Sequence, residues 1–327
     1  MIGSEVYIHM LDSYGRDINY LRISVTDLCN LRCRYCMTDK GIIKKEYENI
    51  LTLEEIEKIA KEAVNLGVNK IRITGGEPLV RKGVLKLIKE IGSLKEVKDF
   101  AMTTNGTLLK KYAKELKDSG LKRVNISLDT LNPKKYSHIT RGGNIKDVLE
   151  GIEEAKKVGL TPIKLNVVLI KDFNDDEIEN FVNLTKDENI DVRFIELMPI
   201  GQVCQWSLNK YLSNDVVLEK CNNLEKIESK DKSSPAVYYK LKNGKGRVGL
   251  INPISCKFCS NCNRIRLTVD GKIKPCLHSD DEIDVMKPLR AGKDIKPILK
   301  GIIRNKPKEH NLEEGNYIKR NMTAIGG

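Results

Sequence analysis

The chain has 327 residues, of which 40% are hydrophobic and 31% charged, and its 57 Lys and Arg against 45 Asp and Glu give a net charge of +12. This composition is typical of a globular protein with one large domain or two smaller ones, and it excludes disordered, collagen-like and coiled-coil proteins. No run approaches the roughly 18 apolar residues of a membrane helix, and the first residues lack the pattern of a secretory signal. We therefore expect a cytoplasmic protein with no membrane partner.

The positive charge does not by itself indicate a nucleic-acid-binding protein. Most Lys stand beside Glu in stretches such as LTLEEIEKIAKEAV, which is typical of a solvated helix face. Only five Phe and one Trp are available to stack on bases. We expect no nucleic acid as a partner, and the charge favours an anionic ligand.

Short β-branched runs alternate with longer amphipathic stretches between residues 20 and 200. The predicted strands are YLRISV, KIRITG, DFAMTT, RVNISL, IKLNVVLI and VRFIEL. The predicted helices between them are LTLEEIEKIAKEAVNLG, GVLKLIKEIGSL, LLKKYAKELKDSG, NIKDVLEGIEEAKKVG and NDDEIENFVNLTKDEN. Several of these stretches have the i, i+3, i+4 apolar spacing of helices. Six strands and five helices predict a parallel α/β fold, either an open barrel or a doubly wound sheet.

Polar residues follow the apolar part of four predicted strands, at 74–78, 103–106, 127–129 and 196–199. In parallel α/β folds the ligand lies at the C-terminal ends of the strands. Four polar sets at corresponding positions therefore predict a single binding site.

The pattern changes after residue 200. The segment 205–247 is irregular and polar, and short strand-like pieces (AVYYKL, RVGLIN, IRLTVD) and a helical tail ending in Gly326 and Gly327 follow. We predict an N-terminal arm over 1–15, a core over 16–205 and a smaller C-terminal α+β region over 206–327.

Three of the nine cysteines form a group directly after the first predicted strand: Cys29, Cys33 and Cys36, in CNLRCRYC. Grouped cysteines in a cytoplasmic chain indicate metal ligands or redox groups rather than disulfides. A structural zinc site and an ordinary iron–sulfur protein each supply four ligands. Three thiolates can hold three irons of a 4Fe–4S cluster and leave the fourth iron open to a substrate or cofactor.

A second group consists of Cys259, Cys262 and Cys276, in FCSNCNRIRLTVDGKIKPC. With Cys256 added, these residues also fit a zinc ribbon, so their spacing alone does not decide between a zinc site and an iron–sulfur cluster. Arg264 and Arg266 alternate on the strand that follows and therefore share a face. Together they could bind one anionic or purine ligand.

The first cysteine group, followed by Gly75-Gly76-Glu77-Pro78 after the second strand, resembles the radical S-adenosylmethionine superfamily. This resemblance implies a partial (β/α)6 TIM-like barrel and a 4Fe–4S cluster that cleaves S-adenosylmethionine to a 5′-deoxyadenosyl radical. The stretches SVTDLCNLRCRYCM, IRITGGEPLVR, RFIELMP, FCSNCNRIRLTVDG and the final IGG together resemble the molybdenum cofactor biosynthesis protein A family, the GTP 3′,8-cyclases. The matches extend in order from about residue 15 to residue 327.

The resemblance implies a role for each matching residue. The implied ligands of two 4Fe–4S clusters are Cys29, Cys33 and Cys36 for the first and Cys259, Cys262 and Cys276 for the second. The implied S-adenosylmethionine contacts are Tyr35, Gly76, Ser127 and Met198. The implied GTP contacts are Arg22, Arg72, Thr103, Lys164, Arg264 and Arg266. Further implied active-site residues are Arg193, Gly326 and Gly327. The two glycines belong to a tail that the resemblance places in the catalytic chamber.

Cations inside predicted strands such as IRITG and IKLNVV support an anionic ligand, because an unpaired buried charge is costly. An internal pairing with Glu77 or Glu196 is the structural alternative. In the implied reaction, the radical abstracts the ribose 3′ hydrogen of GTP and the ribosyl radical attacks guanine carbon 8, as the first step of molybdenum cofactor biosynthesis.

The resemblance also implies partners. A reduced ferredoxin or flavodoxin would donate electrons, cyclic pyranopterin monophosphate synthase would receive the product, and a homodimer is one assembly it allows. The rival hypotheses are a peptide-modifying radical enzyme with an auxiliary cluster and a non-catalytic zinc or iron–sulfur protein that binds nucleic acid. Cys256 exceeds the family pattern, and as a fourth ligand it would take the iron that the guanine is expected to meet.

Overall fold

The computed structural model describes residues 10–229, 231–312, 315 and 317–326. These residues contain one sheet of twelve strands. The strands are β1 (Tyr20–Ser24), β2 (Lys70–Thr74), β3 (Asp99–Thr104), β4 (Arg123–Ser127), β5 (Ile163–Leu169), β6 (Ile190–Glu196), β7 (Leu224–Ile227), β8 (Ala236–Leu241), β9 (Arg247–Ile251), β10 (Arg264–Leu267), β11 (Lys272–Lys274) and β12 (Ile283–Asp284).

The described residues also form α-helices, several of which pack on the outer face of the sheet. They are α1 (Leu53–Asn65), α2 (Val84–Gly92), α3 (Leu109–Asp118), α4 (Pro133–Thr140), α5 (Ile145–Lys157), α6 (Ile178–Asp187), α7 (Cys204–Asn209), α8 (Asp215–Lys220), α9 (Met286–Arg290), α10 (Lys296–Arg304) and α11 (Met322–Ile325). All five predicted helices are present, and α1 begins with a capping box between Thr52 and Glu55. None of the described helices is long and apolar enough to cross a membrane.

Strands β1 to β6 pair side by side in chain order, and every pair is parallel. Successive side chains of a strand point to opposite faces. On β1, Leu21 and Ile23 are therefore fully buried in the hydrophobic core under the helices, whereas Tyr20 and Arg22 line the interior of the barrel. The prediction of a six-stranded parallel barrel is confirmed.

The C-terminal strands continue this sheet at both edges. Strand β10 pairs parallel with β1, and β9 pairs parallel with β6. Strands β11 and β12 extend one side, and β8 and β7 the other, by antiparallel pairing. An open barrel has two edge strands whose backbone groups lack partners. The C-terminal region supplies these partners and so brings its cysteines and arginines into the barrel wall.

Candidate active site between two cysteine groups

A cavity of about 350 Å³ extends through the barrel. It is lined by Gly76, Ser127 and Met198 at the C-terminal strand ends and by Tyr20 and Lys70 at the N-terminal ends. Of the predicted site residues that the structure describes, every one except Gly326 lines this cavity. The full predicted set found there is Arg22, Cys29, Cys33, Tyr35, Cys36, Arg72, Gly76, Thr103, Ser127, Lys164, Arg193, Met198, Cys259, Cys262, Arg264, Arg266 and Cys276.

The first cysteine group occupies the loop after β1. The Cys36 amide donates to the carbonyl of Cys33 at 2.9 Å, which folds the loop into a tight turn. Burial, followed by the charges of neighbouring thiolates, raises the pKa of Cys33 well above its usual value, and burial likewise raises the pKa of Cys29 and Cys36. These thiols therefore need a metal to displace their protons. Three crowded sulfur donors that cannot ionise readily by themselves fit a cluster that would take up their charge.

The Gly-Gly-Glu-Pro turn after β2 is pressed against the start of that cysteine loop. The Gly76 amide donates to the carbonyl of Thr26 at 2.7 Å, and a Cβ on Gly76 would lie 2.3 Å from the carbonyl oxygen of Leu28. Glycine is therefore required at position 76 for the two backbones to approach. The first cysteine loop and the turn form one rigid wall of the cavity.

Glu77 holds the ends of β2 and β3 together instead of pairing with a cation. Its buried carboxylate accepts hydrogen bonds from Thr104 Oγ1 at 2.9 Å and from the Asn105 amide at 2.7 Å. Burial raises the pKa of Glu77 to about 7. Glu196 similarly accepts from the Ser255 amide at 3.1 Å. Both carboxylates thus bind neighbouring loops, which leaves the barrel cations to another partner.

Tyr35 connects the cysteine loop to the end of β4. Its hydroxyl donates to Asp129 Oδ2 at 2.6 Å, and Asp129 Oδ1 accepts from the Val168 amide at 2.9 Å. Burial raises the pKa of Asp129 to about 6. Asp129 was not among the predicted site residues, although it stands in the polar set 127–129 that predicted the site.

Buried cations line the middle of the barrel. Burial, followed by the positive charge of other arginines, lowers the pKa of Lys164 to about 7, and burial lowers the pKa of Arg72 to about 10. Arg72 Nε and Arg193 Nε and Nη2 have no hydrogen-bond partner in the described part of the chain. Guanidinium groups have only donors, so these nitrogens need an acceptor from a ligand. The cavity is therefore built for an anion with several oxygen atoms.

Lys164 has one acidic neighbour that sequence reasoning missed. Lys164 Nζ lies 3.7 Å from Asp191 Oδ2, but the same carboxylate is bound through both oxygens by Arg247. One carboxylate shared between two cations leaves positive charge in the cavity. No motif marks Asp191, because it follows an ordinary hydrophobic strand pattern on β6.

The second cysteine group lies at the opposite, N-terminal end of the barrel. Cys259 and Cys262 precede β10, and Cys276 follows β11, its antiparallel neighbour, so the hairpin brings all three to one end. Burial raises the pKa of Cys262, but the charges of Arg264 and Lys306 outweigh it and lower that pKa to about 6. Cys262 is therefore available as a thiolate at neutral pH.

Cys256 does not share this arrangement, since it is exposed and does not line the cavity. Among the described residues, no three His, Cys, Asp or Glu side chains are close enough to hold a single metal ion. The three cysteines of a cubane cluster bind different irons and do not need to be that close together. The placement of three cysteines at each end of the cavity is therefore compatible with a cluster at each end.

Two buried cations distant in sequence support the second cysteine group. Lys306 Nζ donates to the carbonyl of Arg264 at 3.0 Å and also binds the carbonyl of Pro275. Arg16 Nη1 donates to the carbonyl of Cys259 at 2.8 Å. Arg16, the first residue of the predicted core, thus supports this end of the barrel. Sequence reasoning missed both residues, because no local pattern signals a contact across 243 positions.

The C-terminal tail contributes Met322 and Thr323 to the lining of the cavity. The carbonyl of Gly326 accepts from Arg266 Nη1 at 2.6 Å. Gly326 has a φ of +71°, and a Cβ there would lie 2.7 Å from Thr74 Cγ2. Met198 packs against the same apolar cluster as Ile325. Gly327, the other predicted tail residue, lies outside the described residues.

A parallel barrel with three cysteines after β1 and a Gly-Gly-Glu-Pro turn after β2 defines an enzyme fold of the radical S-adenosylmethionine class, and the Radical SAM superfamily model matches residues 23–185. A second model, Molybdenum Cofactor Synthesis C, matches residues 190–312. The chain belongs to the GTP 3′,8-cyclase family. It is 62% identical to the GTP 3′,8-cyclase of Peptoclostridium acidaminophilum, covering 97% of this chain and 98% of that protein. It is 56% identical to the GTP 3′,8-cyclase of Alkaliphilus oremlandii, covering 97% and 100%.

Solved structures share the fold at low sequence identity. Streptococcus suis SuiB bound to S-adenosylmethionine has a TM-score of 0.61 and 17% identity, covering 86% of this chain and 65% of that one. SuiB bound to its precursor peptide SuiA has a TM-score of 0.60 and 18% identity, covering 88% and 66%. This chain therefore spans just under two thirds of SuiB, and the likeness concerns the fold alone. Superfamily membership implies a 4Fe–4S cluster and S-adenosylmethionine as cofactors.

Proposed function

We propose that this chain converts GTP to (8S)-3′,8-cyclo-7,8-dihydroguanosine 5′-triphosphate, the first step of molybdenum cofactor biosynthesis. The observation that carries the proposal is a single cavity with three cysteines at each end and buried cations between them, of which Arg72 and Arg193 have guanidinium nitrogens without a hydrogen-bond partner in the described part of the chain. The relatives' name, GTP 3′,8-cyclase, agrees with this chemistry at 62% and 56% identity over nearly the whole chain.

Cys29, Cys33 and Cys36 would hold the first cluster, with one iron left for S-adenosylmethionine. When bound, this cluster supplies the electron that cleaves S-adenosylmethionine to the 5′-deoxyadenosyl radical that abstracts the ribose 3′ hydrogen. Tyr35, Gly76, Ser127 and Met198 line the cavity at the same end and would bind and orient S-adenosylmethionine. Asp129 fixes Tyr35 in place through the hydrogen bond of its hydroxyl.

Cys259, Cys262 and Cys276 would hold a second 4Fe–4S cluster. Because Cys256 lies outside the cavity, these three cysteines would leave one iron of that cluster for the guanine of GTP. Arg264 and Arg266 alternate on β10, line the cavity beside these cysteines and would bind the same end of the nucleotide.

The remaining cations would bind the triphosphate, which carries about four negative charges. Arg22, Arg72 and Lys164 supply positive charge from three strands, and Arg193 adds a buried guanidinium from a fourth. Thr103 contributes a hydroxyl that lines the same cavity. A bound polyanion would offset the repulsion among these groups and so hold the ribose in place.

Gly326 and Gly327 would exclude water and oxygen from the radical by closing the cavity, with Gly326 held by Arg266. The reaction also needs a reduced electron donor, for which we propose a ferredoxin or flavodoxin. Cyclic pyranopterin monophosphate synthase would take up the product, and the chain would act alone or as a homodimer.

The proposal is tested by anaerobic reconstitution. Iron and sulfide are counted, reductant, S-adenosylmethionine and GTP are added, and 5′-deoxyadenosine and the cyclised nucleotide are measured. About eight irons per chain, with GTP-dependent formation of both products, is the expected result. Cleavage of S-adenosylmethionine with GTP left intact would refute GTP as the substrate and favour a peptide substrate. Bound zinc without cleavage would overturn the radical chemistry.

A further inference from the structure

Tyr20 has a buried hydroxyl inside the cavity that no predicted role uses. Tyr20 is the first residue of β1, and its amide donates to the carbonyl of Asn263 at 3.2 Å. Its side chain points inward like that of Arg22 two residues later, and both line the cavity. The Tyr20 hydroxyl oxygen is inaccessible to solvent and has no hydrogen-bond partner in the described part of the chain.

The groups around this hydroxyl are cations. The guanidinium of Arg72 lies 5.3 Å from the centre of the Tyr20 ring. Burial raises the pKa of Tyr20, but the charges of Arg72, Arg22, Arg123 and Arg264 outweigh it and lower that pKa below its usual value. Arginine donates hydrogen bonds and cannot accept them. These arginines therefore cannot accept the phenolic proton, and the acidified hydroxyl is a stronger donor that has no acceptor in the described part of the chain.

We propose that the Tyr20 hydroxyl donates a hydrogen bond to the triphosphate of the nucleotide and is a further substrate-binding residue. This inference depends on the proposed function, since it places GTP in this cavity. Phosphate oxygens are the acceptors that Arg22 and Arg72, the two of these arginines assigned to the triphosphate, would attract most strongly. Arg123 is already held by Asp99 Oδ2 at 2.7 Å and by Asn125 Oδ1 at 3.0 Å, so it supplies charge while Tyr20 supplies a free donor.

The test compares Tyr20→Phe with the wild type after both have been reconstituted. The substitution keeps the ring and its contact with Arg72 and removes only the hydroxyl. Equilibrium binding of GTP and of guanosine is measured without S-adenosylmethionine or reductant. We expect GTP to bind about tenfold more weakly and guanosine to bind unchanged. In turnover, the KM for GTP should rise with kcat within about twofold, because the contact is made equally in the ground state and the transition state.

Tyr136→Phe is the matched control, because Tyr136 also has a buried hydroxyl without a hydrogen-bond partner but does not line the cavity. It should leave both affinities unchanged. Equal weakening of GTP and guanosine would place the hydroxyl on the nucleoside and overturn the inference, as would unchanged GTP binding in a variant with wild-type Tm and iron content. A wild-type protein that fails to bind GTP would overturn the proposed function instead.

Discussion

Lys164 should give GTP binding a pH dependence that arginine at the same position abolishes. The Lys164 side chain is 14% exposed. Burial and the charges of Arg193, Arg123 and Arg247 lower its pKa to about 7, whereas Asp191 raises it by a smaller amount. In the free protein, Lys164 is therefore largely neutral above pH 8. A triphosphate beside it would favour the charged form, so binding is coupled to the uptake of a proton.

This coupling sets both the direction and the size of the pH effect on GTP affinity. Above pH 7 the complex holds one more proton than the free protein, so the GTP affinity falls as pH rises. Relative to a protein whose Lys164 is always protonated, the affinity for GTP is lower by a factor of about 1 + 10^(pH − 7), which is roughly fourfold at pH 7.5 and about 33-fold at pH 8.5. The Kd for GTP should therefore rise about eightfold between these two values. The triphosphate itself hardly titrates in this window, because the second phosphate pKa is about 6.

Isothermal titration calorimetry checks this prediction with reconstituted protein at both pH values. Repeating it in two buffers of different ionisation enthalpy counts the protons taken up, which should approach one at pH 8.5. Lys164→Arg keeps the charge at both values and should bind GTP with a Kd that changes less than twofold. Equal pH slopes for the wild type and Lys164→Arg would refute the reasoning.

Two further predictions concern the tail and the odd cysteine. Gly326→Ala should lower the rate of cyclisation at least tenfold at unchanged iron content, because its Cβ would lie 2.7 Å from Thr74 Cγ2. The control is Gly292→Ala, which should stay near wild-type activity because Gly292 has a similar φ of +67° but open space around it. Equal loss of activity in both variants would attribute the effect to backbone strain alone. Cys256→Ser should keep about eight irons and full activity, whereas Cys262→Ser should retain about four irons; loss of iron in Cys256→Ser would make Cys256 a cluster ligand.

Much of the barrel was predictable because its signals are local. All six predicted strands are found, since β-branched runs between amphipathic stretches reflect the local periodicity of each element. Helix α4 was missed, because PKKYSHIT is short and has weak apolar periodicity. The predicted site residues that line the cavity come from motifs, from strand ends at one edge of a parallel sheet and, for Arg22, Arg72, Lys164 and Arg193, from positions within strands that the family resemblance implied. Their individual roles remain predictions.

Residues without a motif could not be predicted in this way. Asp191 lies in a hydrophobic strand and meets Lys164 only because β5 and β6 are in register. Lys306 and Arg16 are ordinary charged residues in sequence and become buried supports of the second cysteine group only in the folded chain. In sequence, Tyr20 is an ordinary aromatic residue of a strand. Only the folded chain brings it near four arginines, one from its own strand and three from β2, β4 and β10.

The sequence alone determined the strand and helix order, the two three-cysteine groups and the glycine-rich turn, because spacing along the chain sets which side chains share a loop or a face. Tertiary structure decided that the two cysteine groups face each other across one cavity. It did so by pairing β10 with β1 and β9 with β6, contacts that depend on edge strands meeting partners far away in sequence. The position of Gly326 against Thr74 and Arg266 was decided in the same way, since a contact across many residues has no local signature.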